Sequence, residues 1–342
     1  MRVFHSALSR KHDPERYFRG GHIVPHPETA ERYEVLLGAA EAAGCQPVPA
    51  GDADLSAIGR VHAAHYLDFL ATAWSRRDEM PGAHDELLNG HFAKPQMHRR
   101  PTGLLGQLGY YASDTSTPIG AGTWDAVRAS AGAALDAADA ALDTGSAFAL
   151  CRPPGHHAFA DCAAGFCYLN NSAIAARRLA DRLGGHVAVV DIDVHHGNGT
   201  QSIFYATDEV LTVSVHCDTS DYYPFYAGYA DETGEGAGAG FNLNLPLPKG
   251  SGDRPVGDAL DRALALCADA GCKGLVIALG LDAGRDDPLG AFDVTTDGFA
   301  QFGARIAGFG VPTVLVQEGG YLCPALPVNL SAFLEAFSRS RP

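Results

Sequence analysis

Asp191, Asp193 and His195 occupy every second position in the run VAVVDIDVHHGNG, residues 187–199. On an extended backbone that spacing turns the three side chains to one side. With Asp282 added from the end of GLVIALGLD, two carboxylates and an imidazole could hold one divalent ion and leave a coordination position open, as catalytic zinc sites do. A lone Asp-x-His is more often a hydrogen-bonded strand end. That ordinary reading leaves the additional acid and the isolated Asp282 unexplained. His156 and His157 follow a Pro-Pro-Gly turn in RPPGHH. A solvated loop is the usual place for such a pair, but beside a metal one of them can take a proton from water and return it to a leaving amine. Asp191 and Asn198 are close enough in sequence to orient the two rings. A carboxylate on one ring and an amide on the other would make their basicities unequal. Tyr321 follows Gly319-Gly320, where a phenol could donate to the oxyanion of a tetrahedral intermediate.

These residues need elements that bring them together. From residue 147 onward, apolar runs alternate with helical patterns: AFALC, Ser172 to Leu183, VAVVDID, VLTVSVH, a helix through Leu260, Leu264 and Cys267, GLVIALGLD, a helix from about Asp297, TVLVQEGGY, and a helix near 326–338. Fully apolar strands alternating with amphipathic helices predict a parallel sheet covered on both faces. Ligand sites in open α/β sheets lie beyond the carboxyl ends of the strands. Each cluster above falls at such an end. The N-terminal part is less regular, with helical patterns near Thr29 to Ala43 and Tyr66 to Trp74. The Gly-, Pro- and Thr-rich section Pro81 to Gly122 predicts a functional loop or an oligomer contact.

The chain has 342 residues, 46% of them hydrophobic, without repeats or linkers, so a single α/β domain is expected. No run is apolar enough for a membrane span, and the first residues lack a signal-peptide core, which predicts a soluble cytoplasmic protein. The eight cysteines are scattered without CxxC pairs and read as reduced, mostly buried thiols. The N-terminal histidines, His5, His12, His22 and His26 among them, have no assigned role and are expected mostly at the surface. A net charge of -15 disfavours nucleic acid and anionic membranes and would draw small cations. GEGAGAG fits a dinucleotide fingerprint, but the strand-like FNLNLPL follows it where a helix is required, so NAD binding is rejected. Walker A and GxSxG motifs are absent.

Four ordered stretches, CRPPGHHAFADCAAGFCYLNN, VAVVDIDVHHGNGTQSIFY, GLVIALGLDAGRDDPLG and QEGGY, resemble the histone deacetylase-like amidohydrolases of the arginase/deacetylase superfamily over about half the chain. The resemblance implies an eight-stranded parallel α/β fold and hydrolysis of an acetylated amine at the foot of a narrow tunnel. It makes Asp193, His195 and Asp282 the zinc ligands, His156 and His157 the tandem catalytic histidines, and Tyr321 the oxyanion tyrosine. Asp191 and Asn198 match the partners of the histidines, and Phe166, Tyr223 and Leu289 the tunnel wall. It also implies structural potassium around Asp191, Asp193, His195 and Ser214, with a second site near Phe204, Thr207 and Val210. Pro101 to Trp124, with DYYPFYAGYADETGEGAGAG, is similar to the bacterial acetylpolyamine amidohydrolases. There an insertion, here at about 81–122, narrows the entrance and crosses a homodimer interface.

Small cationic acetylated amines such as acetylputrescine, acetylcadaverine and acetylspermidine are therefore the expected substrates. Leu105 stands where one relative has an acid, and Leu289 looks more like the enzymes acting on lysine side chains, which makes acetyl-lysine in proteins or peptides the alternative. A non-catalytic acetylamine-binding protein is the competing reading of another class; the complete set of ligands, histidines and tyrosine argues against it. A two-manganese ureohydrolase would need further bridging acids and histidines that the motifs do not supply.

Overall fold

The computed structural model describes all residues except 81, 83, 84, 95, 98 and 342. Among the described residues ten strands form: β1 (Arg2–His5), β2 (Arg16–Arg19), β3 (His22–Pro25), β4 (Gln46–Pro49), β5 (Ser146–Ala149), β6 (Val187–Asp191), β7 (Val210–Cys217), β8 (Asn242–Leu247), β9 (Leu275–Leu279) and β10 (Thr313–Gln317). Eight of them make one parallel sheet in the order β4-β1-β5-β10-β9-β6-β7-β8, and β2 and β3 form a separate antiparallel hairpin. The single-domain α/β fold expected from the strand and helix alternation is therefore the observed one.

The central strands carry apolar residues on both faces because helices cover both. Along β9, Leu275, Ile277 and Leu279 enter one core while Val276 and Ala278 enter the other. The first core is closed by the helices Glu31–Ala42, Asp253–Asp269, Thr296–Ala307 and Ala325–Ser340, the second chiefly by Thr123–Thr144 and Asn171–Leu183. Local signals set helix ends. Asn170 accepts the Ala173 N–H at the start of Asn171–Leu183, and Gly184 ends it in the left-handed conformation.

Several elements depart from the sequence expectations. The four-residue strands β1 and β4 are too short to show a period. The alanine-rich helix Thr123–Thr144 has no clean apolar stripe because one side packs under the sheet while small residues continue around it. The section expected to be irregular holds the helix Leu104–Tyr110 and bridges Leu87 to Ile119 and Ala112 to Ala163. Its expected first residue, Pro81, lies outside the described residues. His12 and His26 are buried, against the surface expectation. After GEGAGAG comes β8, so no helix N-terminus stands there for a dinucleotide.

Candidate active site

The strands β5, β10, β9 and β6 are adjacent in the sheet, and the segments leaving their carboxyl ends meet. RPPGHH follows β5, QEGGY finishes β10, Asp282 follows β9, and DIDVHH finishes β6. Four motifs separated by up to 165 residues thereby share one site at the foot of a cavity of about 520 Å³.

The expected extended run from Asp191 to His195 is not what gathers the acids. β6 stops at Asp191, and the chain then bends through residues 192–197. The Asp191 carboxylate accepts the Asp193 N–H (3.0 Å), and Asp193 accepts the His195 N–H (2.9 Å). Each aspartate folds the backbone two residues ahead, the local habit that disfavours a continuing strand. The consequence is a division of labour. Asp191 turns away to His156, while Asp193, His195 and Asp282 place their ligating atoms within 4.8 Å of one another.

That trio fits a zinc ion. His195 Nδ1 lies 3.1 Å from Asp193 Oδ1 and 3.2 Å from Asp282 Oδ2. Ligand bonds of about 2.0 Å in a tetrahedron separate the ligand atoms by about 3.3 Å. Asp193 and Asp282 are fully buried. Two buried carboxylates so close repel unless a cation stands between them. Gly319 leaves the room: a Cβ there would sit 2.1 Å from Asp282 Oδ2 and 2.5 Å from Asp193 Oδ2. Its N–H instead donates to Asp193 Oδ2 at 2.8 Å, and Val194 N–H donates to Asp282 at 3.0 Å.

The two histidines stand beside the trio with ring centroids 4.0 Å apart. His156 Nδ1 faces Asp191 at 2.9 Å, and His157 Nδ1 faces the Asn198 amide oxygen at 2.7 Å. Burial alone would push His156 down, but Asp193 and Asp191 outweigh it and hold the imidazole up to about 10. Burial also pushes His157 down, and there the neighbouring His156 and His195 add to it, leaving the ring well below the ordinary histidine value. The surroundings therefore favour the protonated form of His156 and the neutral form of His157. An amide oxygen only accepts, so the proton of neutral His157 sits on Nδ1 and its Nε2 lone pair is free.

Tyr321 lies on the cavity wall, its ring edge-on to Phe166 at 5.8 Å. The Arg32 guanidinium stands 4.9 Å over the Tyr321 ring and donates to the carbonyls of Gly320 (2.7 Å) and Glu318 (2.9 Å). Arg32 is itself buried against Glu28. Asp287 accepts the N–H groups of Tyr321 (2.7 Å) and Leu289 (2.8 Å), so one carboxylate joins two lining loops. Glu318 accepts the N–H groups of Gly155 (2.6 Å) and His156 (3.0 Å) and the Ser172 hydroxyl (2.6 Å), pinning the turn that carries the histidines.

Phe166, Tyr223 and Leu289 line the cavity. Ser214 pairs with Asp191 across β6 and β7. Phe204 and Thr207 sit where the helix Asn198–Phe204 turns back toward Val210, with Thr207 N–H donating to the Phe204 carbonyl at 3.1 Å.

Sequence reasoning missed Arg32, Asp114, Tyr222, Asp287 and Glu318. Tyr222 stacks on His195 at 5.0 Å, and Asp287 and Glu318 sit inside the quoted motifs RDDPLG and QEGGY. Arg32 carries no signal at all, since it arrives from a helix 286 and 288 residues before the two carbonyls it holds.

The histone deacetylase domain family model matches residues 26–337. An acetylpolyamine amidohydrolase of Mycoplana ramosa is 39% identical over 337 residues, 98% of this chain and 99% of that protein. An acetylpolyamine amidohydrolase of Burkholderia pseudomallei is 43% identical over 345 residues, with coverage of 100% and 99%. A crystal structure of an acetylpolyamine aminohydrolase from Burkholderia pseudomallei superposes with a TM-score of 0.95 at 42% identity, covering all of both chains.

Proposed function

The chain belongs to the histone deacetylase domain family and is a hydrolytic deacetylase, and from that premise we propose that it removes acetyl from acetylated polyamines in a zinc-dependent reaction. The observation that carries this reading is the convergence, at the foot of one aromatic-walled cavity, of the Asp193–His195–Asp282 trio, the unequal histidine pair and Tyr321. A zinc ion held by that trio would polarise the acetyl carbonyl and lower the pKa of the attacking water towards ~7.

The remaining work falls to the chain. His157, neutral and with Nε2 free, takes a proton from the attacking water. Tyr321 donates its O–H to the oxygen that becomes negative, a role in which the hydrogen bond strengthens only as charge develops. A protonated histidine then returns a proton to the departing nitrogen. Asp191 and Asn198 keep both rings facing the reacting atoms. Flat walls from Phe166 and Tyr223 accept a methylene chain and exclude water. The products are acetate and a free amine.

Structural potassium at Asp191, Asp193, His195 and Ser214, and near Phe204, Thr207 and Val210, belongs to the same reading. So do a homodimer contact through about 81–122 and a cytoplasmic location, where the eight free cysteines would remain reduced. Among the described residues no helix is long and apolar enough to cross a membrane.

Turnover of the zinc-loaded protein on acetylputrescine, acetylcadaverine, acetylspermidine and an acetyl-lysine peptide tests the proposal, with Asp282→Ala as control. Hydrolysis favouring the small free amines supports it. Activity confined to the peptide would keep the chemistry and replace the substrate.

A further inference from the structure

The segment 112–116 touches three separate pieces of the cavity wall. Ala112 bridges to Ala163, the Thr115 hydroxyl donates to the Phe18 carbonyl of the β2–β3 hairpin at 2.8 Å, and Asp114 reaches inward. Asp114 Oδ2 accepts the Tyr223 O–H at 2.6 Å and the Gly165 N–H at 2.9 Å. Its other oxygen accepts the N–H and O–H of Ser116. One carboxylate thus ties Tyr223 to the loop that carries Phe166.

Both partners need holding. Gly165 and Phe166 take positive φ angles of 51° and 68°, a conformation a phenylalanine adopts only when its surroundings impose it. A side chain at Gly165 would strike the His157 ring and the Tyr223 hydroxyl, so the three parts are in close register. Tyr223 packs edge-on to His157 at 5.0 Å. If Tyr223 swung outward, its hydroxyl would lose its acceptor and Asp114 Oδ2 one of its two donors. A charge-assisted bond of this kind favours the held rotamer by roughly 10-fold or more.

We propose that Asp114 is a specificity-determining positioning residue: by locking Tyr223 to the Gly165–Phe166 turn it fixes the bore of the tunnel, so that slender acetylated amines enter and bulkier acetamides are refused. The inference rests on the deacetylase reading above. A direct salt bridge from Asp114 to a substrate ammonium is the weaker account, because four protein donors already occupy the carboxylate.

Two variants separate lock from charge. Tyr223→Phe removes the lock and keeps the carboxylate. Asp114→Asn removes the charge and keeps an oxygen able to accept from Tyr223 and Gly165. The measured quantity is the ratio of kcat/KM for an acetyl-lysine blocked at both backbone ends to that for acetylputrescine. The expected result is a rise of about fivefold or more in Tyr223→Phe, through a lower KM for the bulky substrate, with the wild-type ratio retained in Asp114→Asn. An unchanged ratio in Tyr223→Phe overturns the inference. So does an Asp114→Asn enzyme whose only defect is a raised KM for acetylputrescine, which would show that the charge selects. A wild-type protein that hydrolyses neither substrate would overturn the functional reading and this inference with it.

Discussion

His157 and Asn198 meet at 2.7 Å, ring Nδ1 to amide oxygen, while the adjacent His156 faces a carboxylate. Burial, with His156 and His195 beside it, keeps His157 low, and the uncharged amide brings no negative charge to offset them. Replacing Asn198 with aspartate puts a negative charge against its Nδ1 and favours the imidazolium. The Asn198→Asp variant is expected to move the acid limb of kcat/KM upward by roughly 1 pH unit or more. A pH profile that coincides with wild type would remove His157 from the role of base.

Tyr321 is 4% exposed and held through its ring by Arg32 and through its N–H by Asp287. Those contacts do not involve the hydroxyl, so Tyr321→Phe keeps the packing and loses only the donor. The expected cost is about 10²- to 10³-fold in kcat with little change in KM. Near-normal turnover would eliminate the oxyanion role.

Burial raises the Glu318 carboxyl to about 7, even though His156, the Ser172 hydroxyl and the Gly155 N–H pull it down. Because the folded value lies above the unfolded one, the native state binds more protons between about pH 4.5 and 7. The contribution of this group to stability therefore falls as pH rises through that window, by up to about 3 kcal/mol. Glu318→Gln keeps an acceptor for the Gly155 and His156 N–H groups and does not titrate. The melting temperature of the variant relative to wild type should rise between pH 5 and pH 8. A flat difference would contradict the burial account.

The Asp193–Asp282 pair, buried on either side of His195, is destabilised by its own repulsion. A zinc ion held there would relieve it, and a ligand at 100 times its Kd adds about 2.7 kcal/mol to stability. Zinc is expected to raise the melting temperature of wild type by roughly 4 °C or more, a shift reversed by chelation and lost in Asp282→Ala. Equal shifts in both proteins would place the ion elsewhere.

The sheet and the chemical identities of the site were legible in the chain itself. Runs such as LVIAL and the VLV centre of TVLVQ, apolar on both faces, demand cover on both sides, which a parallel sheet between helices supplies. The motifs at their ends follow because loops at the carboxyl edge can vary without disturbing the core. Short β1 and β4 lay outside that reading, since four residues hold too little pattern and their pairing partners are distant.

The resemblance already set Asp191 beside a histidine and Asp193 in the ligand trio, and only the tertiary structure shows the bend that separates them. Spacing alone grouped Asp191 with Asp193 and His195, whereas side-chain bonds to the next N–H groups break the strand and send Asp191 to His156. The same holds for Arg32, Asp114 and Glu318, whose partners lie 286, 109 and 163 residues away in the chain. A residue that works by holding another is defined by the geometry of that contact. Its own neighbours in sequence carry no trace of it, because the backbone path between the two is set by the packing of the whole sheet.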